Sequence, residues 1–223
     1  AALHSFSVSF SQQAFNESRY AAQAARCLGT RHHDVTFGLE EFHRAFTAAA
    51  PQLDIPFGDS SFLPTYVVCE AARNLIKVAL DGDGSDELLG GYGNFRAAEI
   101  AALLPVLPPT IWQFLANLAN RLPTNYDYFS FDFKLKSFLR ALGYKLPIVN
   151  QNWLGSFSYL ELRSTLTPSF RQYLSVLNED INCLEQEISG LDVFNTISDL
   201  TINQYLTNDI LVKLDRASMF NSL

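Results

Sequence analysis

The sequence predicts an α/β fold: a parallel sheet with crossover helices first, then a mostly helical second half. Three observations carry this. Short strand-like runs at 3–10, 32–37 and 76–80 alternate with helix-length stretches, the pattern of strands joined by crossover helices. The third run, Ile76-Lys77-Val78-Ala79-Leu80, leads into Asp81-Gly82-Asp83-Gly84-Ser85-Asp86-Glu87-Leu88-Leu89-Gly90-Gly91-Tyr92, a turn crowded with carboxylates and glycines. Beyond about Phe95, Leu- and Phe-rich stretches punctuated by Pro105, Pro108, Pro109, Pro123, Pro147 and Pro168 replace the alternation.

Each element has its own signal. Residues 3–10 place Phe6, Val8 and Phe10 on one face, which is strand periodicity. Residues 17–28 place Tyr20, Ala24 and Leu28 on one helical face, with Gly29 where a helix stop belongs. Residues 32–37 read as a second strand and 39–50 as a helix. Asp54-Ile55-Pro56-Phe57-Gly58-Asp59-Ser60-Ser61 is a turn-rich loop, and Pro64 suits the first turn of a helix reaching about Leu75. The run at 76–80 reads as a buried strand. From Ile100 on, the chain is expected to be mostly helical without an internal repeat; Asn125 to Phe138 fits no single pattern.

Composition bounds the function. The chain has 223 residues, 48% of them hydrophobic, with 18 Phe and 9 Tyr, enough for an aromatic-rich core. A net charge of −7 argues against a general nucleic-acid binder, which shows a basic face. Cys27, Cys69 and Cys183 form no C-x-x-C pair and are expected to be buried free thiols in a reducing compartment. No signal peptide opens the sequence, and the run at 97–107, cut by Pro105, is too short to span a bilayer. A cytoplasmic protein with no membrane partner is the expectation.

The acidic loop is the candidate site. Ligands in open parallel sheets bind beyond the carboxyl ends of strands, and glycine-rich turns offer N–H groups to phosphate oxygens. Carboxylates beside a polyphosphate repel it unless a cation intervenes, which implies Mg²⁺ held by one or two of them. Asp86 is the first choice as metal ligand, and Asp83 faces the reacting centre as general base or electrostatic stabiliser. An EF-hand would need glycine where Asp86 stands and glutamate where Tyr92 stands. A solvated helix cap using Asp86 and Glu87 does not by itself account for four glycines.

These residues resemble a known family. The loop is similar to the S-G-[DE]-G-x-D-E-x-x-x-G-Y signature of the asparagine synthase family, glutamine-hydrolysing type. Four further segments agree in order and spacing. Phe15-Asn16-Glu17-Ser18-Arg19-Tyr20-Ala21 resembles F-[DN]-E-S-x-Y-A, and Leu28-Gly29-Thr30-Arg31-His32-His33 resembles L-G-T-x-H-H. Asp54-Ile55-Pro56-Phe57-Gly58-Asp59 with Leu63-Pro64-Thr65-Tyr66 resembles D-E-P-F-x-D followed by L-P-T-Y. Asp209-Ile210-Leu211-Val212-Lys213-Leu214-Asp215-Arg216-Ala217-Ser218-Met219 resembles D-I-L-V-K-x-D-R-x-S-M.

The resemblance implies a Rossmann-like parallel sheet of the ATP pyrophosphatase (adenine nucleotide alpha hydrolase-like) type. Residues 1–99 would form the nucleotide-binding core and 100–223 a mainly helical part of the synthetase domain. It implies an AMP-forming amide ligase using ATP and Mg²⁺ to make asparagine through an aspartyl-adenylate. Ammonia would come from glutamine, hydrolysed in a separate N-terminal glutaminase domain, and any oligomer would be a homodimer. By position, Val8 lies near adenine, Asp81, Gly82 and Gly84 border the nucleotide, and Asp83 and Lys213 are catalytic. Asp86 holds Mg²⁺.

There are departures. The family's S-G-G-x-D-S phosphate loop is not found before Leu3, nor its E-x-R-x-P-F-L-D after Leu223, and Asp81 replaces the more usual serine. The sequence starts at Ala1 and its only methionine is Met219. The expectation is an internal piece of a longer enzyme, inactive as a synthetase alone. Two alternatives stay open. A related adenylating enzyme could close a β-lactam or macrolactam, or a non-catalytic domain could retain the fold.

Elsewhere the bland readings lead. His32 and His33 point to opposite faces of a strand and do not share an ion. Lys213 and Asp215 could form only local helix pairs, Glu17 could simply start a helix, and Tyr92 could pack or hydrogen-bond.

Overall fold

The computed structural model describes residues 2–105, 107–123, 130–155, 157 and 159–223. They form an α/β chain that is mostly helical, with a two-stranded parallel sheet. The described residues gather into two compact units. The first comprises Ala1–Asp83 and Thr207–Leu223, the second Gly84–Leu206. This partition differs from a cut at 99/100.

The first unit opens with β1 (His4–Phe10), α1 (Ser18–Leu28) and β2 (Arg31–Phe37). The strands pair in parallel with Val8 opposite Val35, and α1 makes the crossover, packing on both. Gly29 ends α1 at φ 65°, in the left-handed region that glycine tolerates best. α2 (Leu39–Ala49) follows, its first turn closed by the Glu41 carboxylate accepting from the Gly38 N–H at 2.9 Å. Then comes α3 (Phe62–Arg73). α3 is the central helix of this unit: Phe62, Tyr66, Val67 and Cys69 pack with Ala45, Ala49 and Ala217 in one core.

The two histidines separate as alternation requires. His33 lies with His4 and Phe6 on one face, while His32 bonds the Ser5 and Ser7 hydroxyls on the other.

One expected element is absent. Residues 76–80, expected as a buried strand, are neither strand nor helix, and Val78 and Leu80 are 80% and 100% exposed. Among the described residues the sheet has only β1 and β2, so this run has no ladder to join. An extended segment without a ladder satisfies its backbone with water.

The second unit is helical, as expected beyond residue 100. It holds α4 (Ser85–Leu89), α5 (Gly93–Ala102), α6 (Pro109–Ala119), α7 (Phe131–Ala141) and α8 (Leu146–Leu154). These are followed by α9 (Tyr159–Thr165), α10 (Pro168–Arg171), α11 (Leu174–Glu187) and α12 (Val193–Leu200). Phe95, Ala98 and Ile197 form a core joined by Tyr92, Leu146, Trp153 and Val193. α6 packs on α7 and α5 on α12. The stretch that fitted no pattern is partly resolved by α7; residues 124–129 lie outside the described residues.

A π-helix, Thr201–Ile210, continues α12 and leads into α13 (Leu211–Phe220) in the first unit. Wide π turns of this kind are rare and recur at functional sites. α13 lays Ile210, Lys213, Ala217 and Asn221 along its buried side and packs on α3. Asn221 anchors its end, its amide donating to the Tyr66 and Ala217 carbonyls at 3.2 and 2.9 Å. No helix among the described residues is long and apolar enough to cross a membrane.

Candidate active site

The acidic loop is built by short-range geometry. Asp81 uses a carboxylate oxygen to accept the Asp83 backbone N–H at 2.6 Å, folding the loop back on itself. Gly84 stands at φ 97°, a conformation that turns the chain into α4 and strains any side chain with a Cβ. α4 lasts only five residues because Gly90, at φ 69°, ends it.

In the first unit the structure joins two distant segments. Lys213 sits on the buried side of α13, where an ammonium is costly unless paired. Its Nζ lies 3.4 Å from Asp83 Oδ2. Asp215, the local alternative, pairs instead with Arg216, whose guanidinium also reaches Asp54 at 3.0 Å. Asp209, one turn before Lys213, has its carboxyl pushed above the ordinary range by burial and by the negative charge of Asp59, with Lys213 opposing. Asp59 is itself held, accepting from the Ser61 N–H and hydroxyl at 2.8 Å. Lys213 is thus paired with Asp83 and acts on Asp209, which also feels the charge of Asp59.

In the second unit Asp86 and Gly91 fit together closely. The Gly91 N–H donates to the Asp86 carbonyl at 2.8 Å. The Asp86 carboxylate lies over the Gly91 backbone, so that a Cβ there would come within 1.9 Å of Oδ1. Asp86 is exposed, whereas Glu87 beside it is 1% exposed. The Tyr92 hydroxyl donates to Glu87 Oε1 at 2.7 Å. Burial, then the Glu87 contact, pushes the Tyr92 phenol well above its usual range. Glu87 is therefore no solvated cap, and Tyr92 is a hydrogen-bonding residue.

A family model described as asparagine synthase matches residues 1–223, the whole sequence. The chain belongs to the asparagine synthase family. It is similar to an asparagine synthetase (glutamine-hydrolysing) of Bacillus subtilis strain 168, at 28% identity over 225 residues, covering 99% of this chain and 34% of that protein. It is similar to candidate enzymes of the same description from Mycobacterium tuberculosis strain H37Rv and Methanocaldococcus jannaschii. The first is 29% identical, covering 99% of this chain and 32% of that protein. The second is 30% identical, covering 97% and 40%. The chain spans about a third of the length of these relatives. No solved structure matches it.

In this asparagine synthase-family chain, Asp83 and Lys213 are brought together, and Asp81 shapes the loop under Asp83. Val8 stands in the strand ladder opposite Val35. Gly82 lies in the open loop, and Gly84 and Asp86 belong to the second unit. Asp209 is not singled out by the sequence, whereas Asp59 stands on a loop that could border the nucleotide site; the sequence leaves Tyr92 to pack or hydrogen-bond and does not give Glu87 as its partner. Asp59 and Asp209 do fall within family-like segments, which is the signal that could have found them. No group of three or more His, Cys, Asp or Glu side chains among the described residues is gathered as for a fully protein-bound metal. Mg²⁺ requires no such group, since it takes one or two carboxylates and fills the rest of its shell with phosphate oxygens and water. Asp86, an exposed hard-oxygen donor held in place by its fit to Gly91, is of the right chemistry.

Proposed function

We propose that this chain is the ATP-using part of an AMP-forming amide ligase that makes asparagine. The observation that carries the reading is the Asp83–Lys213 pair, which joins two family-like segments in one acidic site around a buried cation. In this reading residues 1–99 carry the nucleotide-binding core, of Rossmann-like ATP pyrophosphatase type, and 100–223 the helical part. The substrate is a carboxylate, aspartate first. Its oxygen attacks the α-phosphorus of ATP, the bond to the β-phosphate oxygen breaks, and pyrophosphate leaves. Ammonia then attacks the acyl carbon and AMP departs, giving the amide. The relatives are named as glutamine-hydrolysing enzymes, which supports glutamine as the ammonia source and a glutaminase domain as partner.

The residues divide the work. Val8 borders the adenine, and Asp81, Gly82 and Gly84 shape the turn against the nucleotide. Lys213 offers positive charge where negative charge develops on the departing pyrophosphate. Asp83, paired with Lys213, is the base or electrostatic stabiliser at the reacting centre. Asp86 would hold Mg²⁺, which when bound neutralises polyphosphate charge. The enzyme works in the cytoplasm.

The test is product identity. Full-length protein given MgATP, aspartate and glutamine should form AMP and pyrophosphate in step with asparagine. Formation of ADP and inorganic phosphate, or of no amide, would overturn the reading.

A further inference from the structure

β1 and β2 carry a histidine pair that the acidic site does not use. In the parallel register Phe6 stands opposite His33, which places His4 diagonally across from His33 on the same face. His4 Nδ1 and His33 Nε2 are 2.9 Å apart, and the two rings are parallel to within 4°. Phe6 stacks on His33 with ring centroids 4.9 Å apart. Both imidazoles are half-buried, so water reaches them.

The pair differs from its neighbour His32. That ring, on the opposite face, has both nitrogens bonded, to the Ser5 and Ser7 hydroxyls at 3.1 and 3.3 Å. Among the described residues His4 and His33 have no hydrogen-bond partner except each other. Burial, then the positive charge of His4, Arg31 and His32, holds His33 below its ordinary range. It is thereby kept as the neutral imidazole, the form that binds metals.

The spacing selects the kind of ion. A metal–imidazole bond is about 2.0–2.1 Å long, so nitrogens 2.9 Å apart subtend roughly 90° at the metal. Right angles between neighbouring ligands belong to octahedral and tetragonal ions such as Ni²⁺ and Cu²⁺. A tetrahedral Zn²⁺ would need the nitrogens about 3.3–3.4 Å apart. Mg²⁺ takes oxygen donors and does not compete for imidazoles. Each ring has only to turn about χ2 until its lone pair leaves the line between the nitrogens, and that torsion is soft.

We propose that His4, through Nδ1, and His33, through Nε2, chelate one late first-row divalent metal ion, Ni²⁺ or Cu²⁺, with water in its other positions. Held by both strands, the ion binds the folded sheet and not the unfolded chain, and so stabilises the first unit. This site uses none of the acidic loop, and the proposal is independent of the reaction assigned above.

Calorimetric titration with NiCl₂ tests it, with circular dichroism of each protein to check folding. The parent should bind one Ni²⁺, and its unfolding temperature should rise with Ni²⁺ concentration. His4→Asn and His33→Asn should each keep the parent's spectrum, weaken binding by at least roughly tenfold and lose the rise, because one imidazole in place of two forfeits the chelate. His43→Asn, exposed on α2, should bind like the parent. Electron paramagnetic resonance of the Cu²⁺-loaded parent, which needs no variant, should show two imidazole nitrogens on the metal. No binding by the parent overturns the proposal. So does undiminished binding by either pair variant, loss of binding in His43→Asn, or a Cu²⁺ spectrum with one nitrogen or none.

Discussion

Lys213 Nζ lies 3.4 Å from Asp83 Oδ2, with the lysine side chain 8% exposed and the aspartate 32%. The asymmetry sets an asymmetric prediction. Asp83→Ala leaves a desolvated ammonium without that partner, and stability should fall by about 1–3 kcal/mol. This is less than the roughly 3–5 kcal/mol for a wholly buried pair, because water reaches Asp83. Lys213→Met removes the buried charge and keeps the volume, so it should cost less than Asp83→Ala or even stabilise. Urea unfolding of both variants reads the difference. Equal losses would mean that the charge of Lys213 is not the unpaired liability.

Gly91 and Gly82 should respond differently to the same methyl group. A Cβ at Gly91 would lie 1.9 Å from Asp86 Oδ1, whereas a Cβ at Gly82 meets nothing within 4 Å. Gly91→Ala must push the Asp86 carboxylate aside and should cost about 1–3 kcal/mol, the usual range for overpacking. Gly82→Ala should stay within about 0.5 kcal/mol of the parent. Thermal unfolding of the pair provides the comparison.

Tyr92 protects a buried carboxylate. Tyr92→Phe removes the hydroxyl that donates to Glu87 and should cost about 1–3 kcal/mol. The raised phenol pKa also has a sign. A folded-state value above the unfolded 10.0 gives stability that is complete below pH 10 and lost as pH rises through the folded value. Spectrophotometric titration should therefore show one late-ionising tyrosine in the parent that is missing in Tyr92→Phe.

Asp209 gives a test of the same sign at lower pH. Its folded pKa is raised above 3.8, by burial first and by Asp59 second. The protonated carboxyl is thus the form the fold prefers. Its contribution is complete below pH 3.8 and is lost as pH rises through the folded value. Asp209→Asn mimics the protonated form, so at pH 7 it should be at least as stable as the parent, with the gap closing toward pH 4. A variant less stable than the parent across that range would show that the ionised carboxylate makes a contact the fold needs.

Local pattern revealed most of the first unit. Phe6, Val8 and Phe10 mark β1 by alternation, and Gly29 ends α1 because its left-handed φ is a glycine conformation. Periodicity misread residues 76–80, because an apolar run says that a strand could form but not that a neighbour exists to pair with it. It also missed the burial of Glu87, since a carboxylate beside Asp86 looks like a solvated cap until Tyr92 closes over it. The π-helix over Thr201–Ile210 has no compositional mark distinguishing it from an α-helix. The turn itself was legible at Gly84, whose left-handed φ is a glycine conformation. The meeting of Asp83 with Lys213 was not, because only the tertiary fold brings such distant positions together.

Pyrophosphate release from MgATP in the presence of aspartate, by full-length protein with and without Asp86→Ala, tests the central claim most directly. Losing a ligand to Mg²⁺ removes several kcal/mol of charge stabilisation, so the variant should be slower by at least roughly a hundredfold. Equal rates in the two proteins would contradict the assignment of the acidic loop as the metal-nucleotide site.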